Sequence, residues 1–131
     1  MAGVTLRSSS PPIDQVIARI GLIADTHMPD RLPALPDALG VALAGVDMIL
    51  HAGDVGELRV LDLLGTIAPV VAVHGNDDTL ESQRELPYQQ LISVGGLRLL
   101  LTHAHYPDRQ DELVSRRDDS WYPKLDRRAE M

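Results

Sequence analysis

Four short clusters in this chain gather side chains that bind metal ions. They are Asp25-Thr26-His27, His51-Ala52-Gly53-Asp54, His74-Gly75-Asn76-Asp77-Asp78 and Thr102-His103-Ala104-His105. All 5 His of the 131 residues lie in them. With no Cys in the chain, thiolate zinc sites, iron–sulfur clusters, disulfide scaffolds and thiol nucleophiles are excluded. Any metal falls to His, Asp, Glu or Asn, whose oxygen and nitrogen donors suit Mn, Zn, Fe, Ni or Co. In extended chain, residues two apart share a side, so Asp25 and His27 can grip one ion. Asp54 has two oxygens and can bridge two ions, Asn76 offers a neutral carbonyl oxygen, and His103 a nitrogen. Two ions about 4 Å apart clamp a phosphoryl group and acidify bound water.

Each cluster follows a strand-like run. Ile17 to Ala24, Val46 to Leu50 and Pro69 to Val73 are short and apolar, and they read as buried strands. Pro29, Pro33 and Pro36 make residues 25–36 a loop. Pro36-Asp37 opens a helix running to about Gly45, since Pro lacks the donor that a first turn leaves unused. Glu57 to Leu64 is a second helix, with Leu58, Leu61 and Leu64 on one side. The alternation predicts an α/β fold with parallel strands and right-handed crossovers. Residues 79–87 read as a polar loop ending at Pro87. Leu91 to Val94 and Leu97 to Thr102 around Gly95-Gly96 read as a β-hairpin, and Asp111 to Arg117 as a last helix. In an open α/β sheet the C-terminal strand ends line one crevice, where ligands bind. Four polar clusters at strand ends therefore predict a single site.

Composition is that of an average globular chain, 44% apolar and 24% charged, and the length suits one domain. No apolar run nears the roughly 18 residues of a membrane span. Arg19 interrupts the one N-terminal apolar stretch, so no signal peptide is read and the expected address is the cytoplasm. With 12 basic against 19 acidic residues, the net charge is −7, and a nucleic-acid partner, which needs a basic face, is not expected. Residues 1–15, with Ser8-Ser9-Ser10-Pro11-Pro12, read as a flexible leader. Residues 16–117 read as the domain and 118–131 as a polar tail.

In this order, each after a strand, the four clusters resemble the calcineurin-like metallophosphoesterase superfamily. They look most like its small single-domain phosphodiesterases, and the retromer's subunit of the same fold is similar. The resemblance covers about residues 18–115. It implies an αββα metallophosphoesterase sandwich. It makes Asp25 and His27 ligands of a first divalent ion, Asp54 a bridge, and Asn76 and His103 ligands of a second, the metals being Mn, Ni, Fe or Zn. It implies hydrolysis of a small phosphate ester, most often a diester, by a metal-activated hydroxide, with Asp54, Asn76 and Asp77 at the reacting centre. Many relatives place a His after the Gly-Asn pair to serve the leaving group; Asp77 stands there, so good leaving groups are favoured.

The family's later Gly-His-x-His motif has no counterpart, because no His follows His105. The resemblance thus implies a domain whose C-terminal strands and two imidazoles are missing. Two readings stand. One is an active phosphoesterase with a binuclear site. The other is a catalytically impaired, truncated phosphoesterase-fold chain, acting as an interaction module or without activity. A homodimer covering an exposed edge is a further possibility. Plainer uses stand beside the functional ones. Asp54 and Asp78 suit helix or turn caps, Asp25 to His27 and Asn76 suit turns, and His51 and His74 suit structural roles. His105 and Asp78 are the candidates for an outer-shell or substrate contact, with no role the alternative for His105.

Overall fold

A computed structural model of the chain describes residues 16–108, 110 and 111. The expected leader and polar tail, and the expected last helix apart from Asp111, lie outside them. The elements run β1 (Ile20–Ile23), α1 (Asp37–Ala42), β2 (Met48–His51), α2 (Arg59–Gly65), β3 (Val70–Ala72), α3 (Leu80–Glu85), β4 (Gln89–Val94) and β5 (Leu97–Thr102). The strands β1, β2 and β3 form a parallel sheet in sequence order, with Leu22 opposite Leu50 and Leu50 opposite Val71. The helices α1 and α2 are the crossovers, as the alternation predicts.

Side-chain alternation along β2 divides the apolar residues between two layers. Ile49 is fully buried with Leu43, Val55, Val60 and Leu64 against the helices. Leu50 points the other way and packs with Val73, Ile92 and Leu101 beneath the hairpin. Each fully buried Leu or Ile contributes about 1.5–3 kcal/mol of transfer free energy. The hairpin forms as expected: β4 and β5 pair antiparallel with Val94 opposite Leu97, and both loop glycines have positive φ, 55° at Gly95 and 81° at Gly96. Two left-handed residues in a two-residue loop match the right-handed twist of the strands. No helix among the described residues is long and apolar enough to cross a membrane.

One element departs from expectation. Residues 79–87 are not a loop throughout, because α3 occupies Leu80–Glu85. The signal is a cap rather than an apolar stripe. Thr79 Oγ1 accepts the Ser82 N–H at 3.1 Å, Glu81 lies in the first turn and Arg84 in the last. These placements complement the helix dipole. The buried Ser82 Oγ donates to the Gly56 carbonyl at 2.7 Å and pins the helix to the loop after β2.

Candidate metal centre

The four clusters lie at the C-terminal ends of β1, β2, β3 and β5, His51 and Thr102 being the last residues of β2 and β5 and the rest lying in the loops beyond. Asp25 and His27 meet as expected, with His27 Nε2 3.5 Å from Asp25 Oδ1. The cause is not the alternation of extended chain. Both residues are left-handed, φ 60° and 45°, and so is Asp54 at 56°. L-residues with side chains rarely hold this conformation, and such outliers gather at functional sites. Backbone bonds lace the two loops together: Asp25 N–H to Gly53 at 3.0 Å, and His27 N–H to Asp54 at 3.0 Å.

Asp54 is at the centre. Its Oδ2 lies 3.5 Å from His27 Nε2 and 3.3 Å from His103 Nε2. Its Oδ1 accepts the Asp77 N–H at 2.9 Å, which fixes the carboxylate plane. His103 Nδ1 lies 2.7 Å from the Ala52 carbonyl. A carbonyl only accepts, so Nδ1 carries a proton and Nε2 is the nitrogen that faces Asp54, donating to it when the ring is protonated and offering a lone pair to an ion when the ring is neutral. Such a backbone-anchored imidazole is the usual state of a metal-ligating His. Asp25, Asp54 and His103 each present a ligand atom within 4.8 Å of the others. Two carboxylates and two imidazole nitrogens converging at non-bonded distances fit a divalent ion of the Mn, Fe or Zn type. His27 and Asp54 are buried, with side chains 9% and 7% exposed, whereas Asp25 is 58% exposed and marks the open side.

The charges support one another. Burial drives the Asp54 carboxyl upward, but the His103 contact, the Asp77 N–H and the positive charge of His103 and His27 outweigh it and hold it at about 2. The hydrogen bond to Asp54 raises His103 against the opposing effect of burial. Close packing of the loops needs glycine. A Cβ on Gly75 would collide with the Asp54 carboxylate, and one on Gly53 would lie 2.8 Å from His103 Nδ1.

The other predicted residues take distinct places. Asn76 is half-buried between Gly75 and Asp77, whose backbones both meet Asp54. Asp77 is exposed; its Oδ2 lies 4.0 Å from His27 Nδ1, on the ring edge away from Asp25 and Asp54, and pairs with Arg31 at 3.2 Å. Asp78 braces two loops, accepting the Gly56 N–H at 2.9 Å and the Gly75 N–H at 2.8 Å. His105 is buried in a ring cluster with His103 at 5.6 Å, His74 at 5.5 Å and Tyr88 at 4.8 Å between centroids. Two residues that spacing did not single out also stand here. Arg31 borders a cavity of about 540 Å³ beside His27. Thr26, between the two ligands of the first cluster, bonds to His51. The one available signal for Arg31 was a lone cation four residues beyond His27.

Comparison with known proteins gives the family and the fold. Residues 18–122 match the calcineurin-like phosphoesterase superfamily domain. A probable metallophosphoesterase of Methanothermobacter thermautotrophicus is 40% identical over 92 residues, 70% of this chain and 53% of its own length. The chain thus spans about half the length of the curated relatives it matches. Vps29 of Entamoeba histolytica, solved in complex with zinc, is similar in structure with TM-score 0.54 and 26% identity, over 75% of this chain and 57% of that one. An archaeal phosphodiesterase shares the fold at TM-score 0.53 and 23% identity, over 76% and 66% of the two chains. The ordered clusters, the parallel sheet that carries the first three of them, and a matched span of most of the sequence lead to one assignment: the chain belongs to the calcineurin-like phosphoesterase superfamily.

Proposed function

We propose that this chain is a metal-dependent phosphodiesterase acting on small phosphate esters with good leaving groups. The observation that carries the reading is Asp54 Oδ2, 3.5 Å from one imidazole nitrogen and 3.3 Å from another. In this reading Asp25 and His27 hold one ion, Asp54 serves both, and Asn76 and His103 hold the second. Divalent ions, when bound, supply Lewis-acid polarisation of the phosphoryl group and acidify water. The chain's own residues do the rest. The Ala52 carbonyl holds His103 with Nε2 toward the centre, and the Asp77 N–H holds Asp54. Asp77, ion-paired with Arg31, faces the back edge of His27 and orients that ring. Exposed Asp25 leaves one side open to substrate. The acid excess, 19 acidic against 12 basic residues, suits an enzyme without nucleic-acid partners, and a cytoplasmic address is part of this proposal.

Asp54→Ala is expected to remove metal-dependent hydrolysis of an aryl phosphodiester by at least a hundredfold, since it takes a donor from both ions. Retained activity would refute the reading. A second reading, an impaired phosphoesterase fold serving as an interaction module or homodimer, is favoured by the outer face of the hairpin. There Leu91 and Leu100 sit opposite one another, each 59% exposed. A wild-type chain that binds the ions without turnover would support this second reading.

A further inference from the structure

We propose that His51, acting through Thr26, is a positioning residue that sets the ligand-bearing loops 25–27 and 53–55 for metal binding; this rests on reading Asp25, His27, Asp54 and His103 as the ligands. His51 is fully buried at the C-terminal end of β2. The Gly53 N–H donates to its Nδ1 at 3.2 Å, and its Nε2 lies 3.0 Å from Thr26 Oγ1. Thr26 Oγ1 in turn lies 2.7 Å from the Val55 carbonyl.

These bonds have one consistent direction. The Val55 carbonyl only accepts, so the Thr26 hydroxyl proton goes to it. The Thr26 oxygen must then accept from His51, so Nε2 carries the ring proton and Nδ1 is bare for the Gly53 N–H. The neutral Nε2–H imidazole alone satisfies all three partners. Both ring nitrogens are occupied, so His51 is not itself a ligand. Its partners are nevertheless the residues beside the ligands: Thr26 separates Asp25 from His27, while Gly53 and Val55 flank Asp54. One buried ring thus spans two loops whose ligands all hold left-handed backbone, a conformation that persists only where surroundings over-determine it.

Outer partners that orient ligands change metal affinity by about 10–100-fold. The test is Mn²⁺ affinity by titration calorimetry and the Co²⁺ absorption spectrum, on variants whose folding is verified by circular dichroism. Thr26→Val keeps the shape without the hydroxyl; it and His51→Gln are expected to weaken Mn²⁺ binding by about 10–100-fold and to alter the Co²⁺ spectrum. Thr26→Ser, which keeps the hydroxyl, is expected to restore most of the affinity. Lowered thermal stability with wild-type affinity and spectrum in both disrupting variants would overturn the inference and leave a structural role only. Should those variants fail to fold, nitrogen NMR of the wild-type metal-free chain reads the tautomer directly. Bare Nδ1 with protonated Nε2 at His51 supports the relay, and the reverse tautomer overturns it. A wild-type chain that binds neither ion overturns the ligand reading as well; one that binds both while the variants match it overturns only the inference.

Discussion

At the scale of single residues, His51 gives the metal-free chain a pH dependence of known sign. Burial, the largest cause, lowers its pKa from 6.5 to about 4, with the negative charges of Asp78 and Asp54 opposing and the positive charges of His103 and His27 adding. Between those values the unfolded chain holds the proton and the folded chain does not, so stability falls as pH drops from 6.5 toward 4. The loss is on the order of 3 kcal/mol. His103 acts with the opposite sign. Its raised pKa stabilises the fold fully below 6.5, and that contribution fades as pH climbs through the raised value. Urea unfolding of the chelated chain is therefore expected to show greatest stability near pH 6.5 from these two groups, and His51→Gln to flatten the acid side. The candidate ligands stood out at this scale because all 5 His and the one Asn, Asn76, fall at strand ends, together with Asp in three of the four clusters. The backbone conformation was not: Asp25 and His27 meet through two left-handed residues, not through strand alternation.

At the scale of elements, α3 is held by its cap and by one brace. Thr79 accepts from Ser82, and both hydroxyls reach the Gly56 carbonyl, at 3.3 Å and 2.7 Å. Thr79→Ala is expected to cost about 1 kcal/mol in chemical denaturation, the usual loss of an N-cap. Because Asp78 ties Gly56 to Gly75 next door, hydrogen exchange in the 74–79 loop should rise in the same variant. A helix of 6 residues with only Ser82 buried leaves no apolar period to read, which is why 79–87 passes for a loop in the sequence. The parallel strands and the hairpin did announce themselves, through continuous apolar runs and through the Gly-Gly pair.

At the scale of the whole molecule, the acid excess and the metal centre belong together. Asp25 and Asp54 are negative charges drawn together by the fold, and cations binding there relieve their repulsion. Ligand that binds only the folded state stabilises by mass action, about 2.7 kcal/mol at a hundredfold excess over Kd. Adding Mn²⁺ to the chelated chain is thus expected to raise Tm, and Asp54→Ala to abolish the rise. The alternation of strands and helices, the α/β class and the family are written in the sequence, because hydrophobic period and residue chemistry are local properties. Which oxygen faces which nitrogen, and that Asp77 pairs with Arg31 behind His27, depends on contacts between residues 23 to 51 positions apart. Those contacts exist only once the strands have paired and brought their end loops together, and no local pattern encodes them.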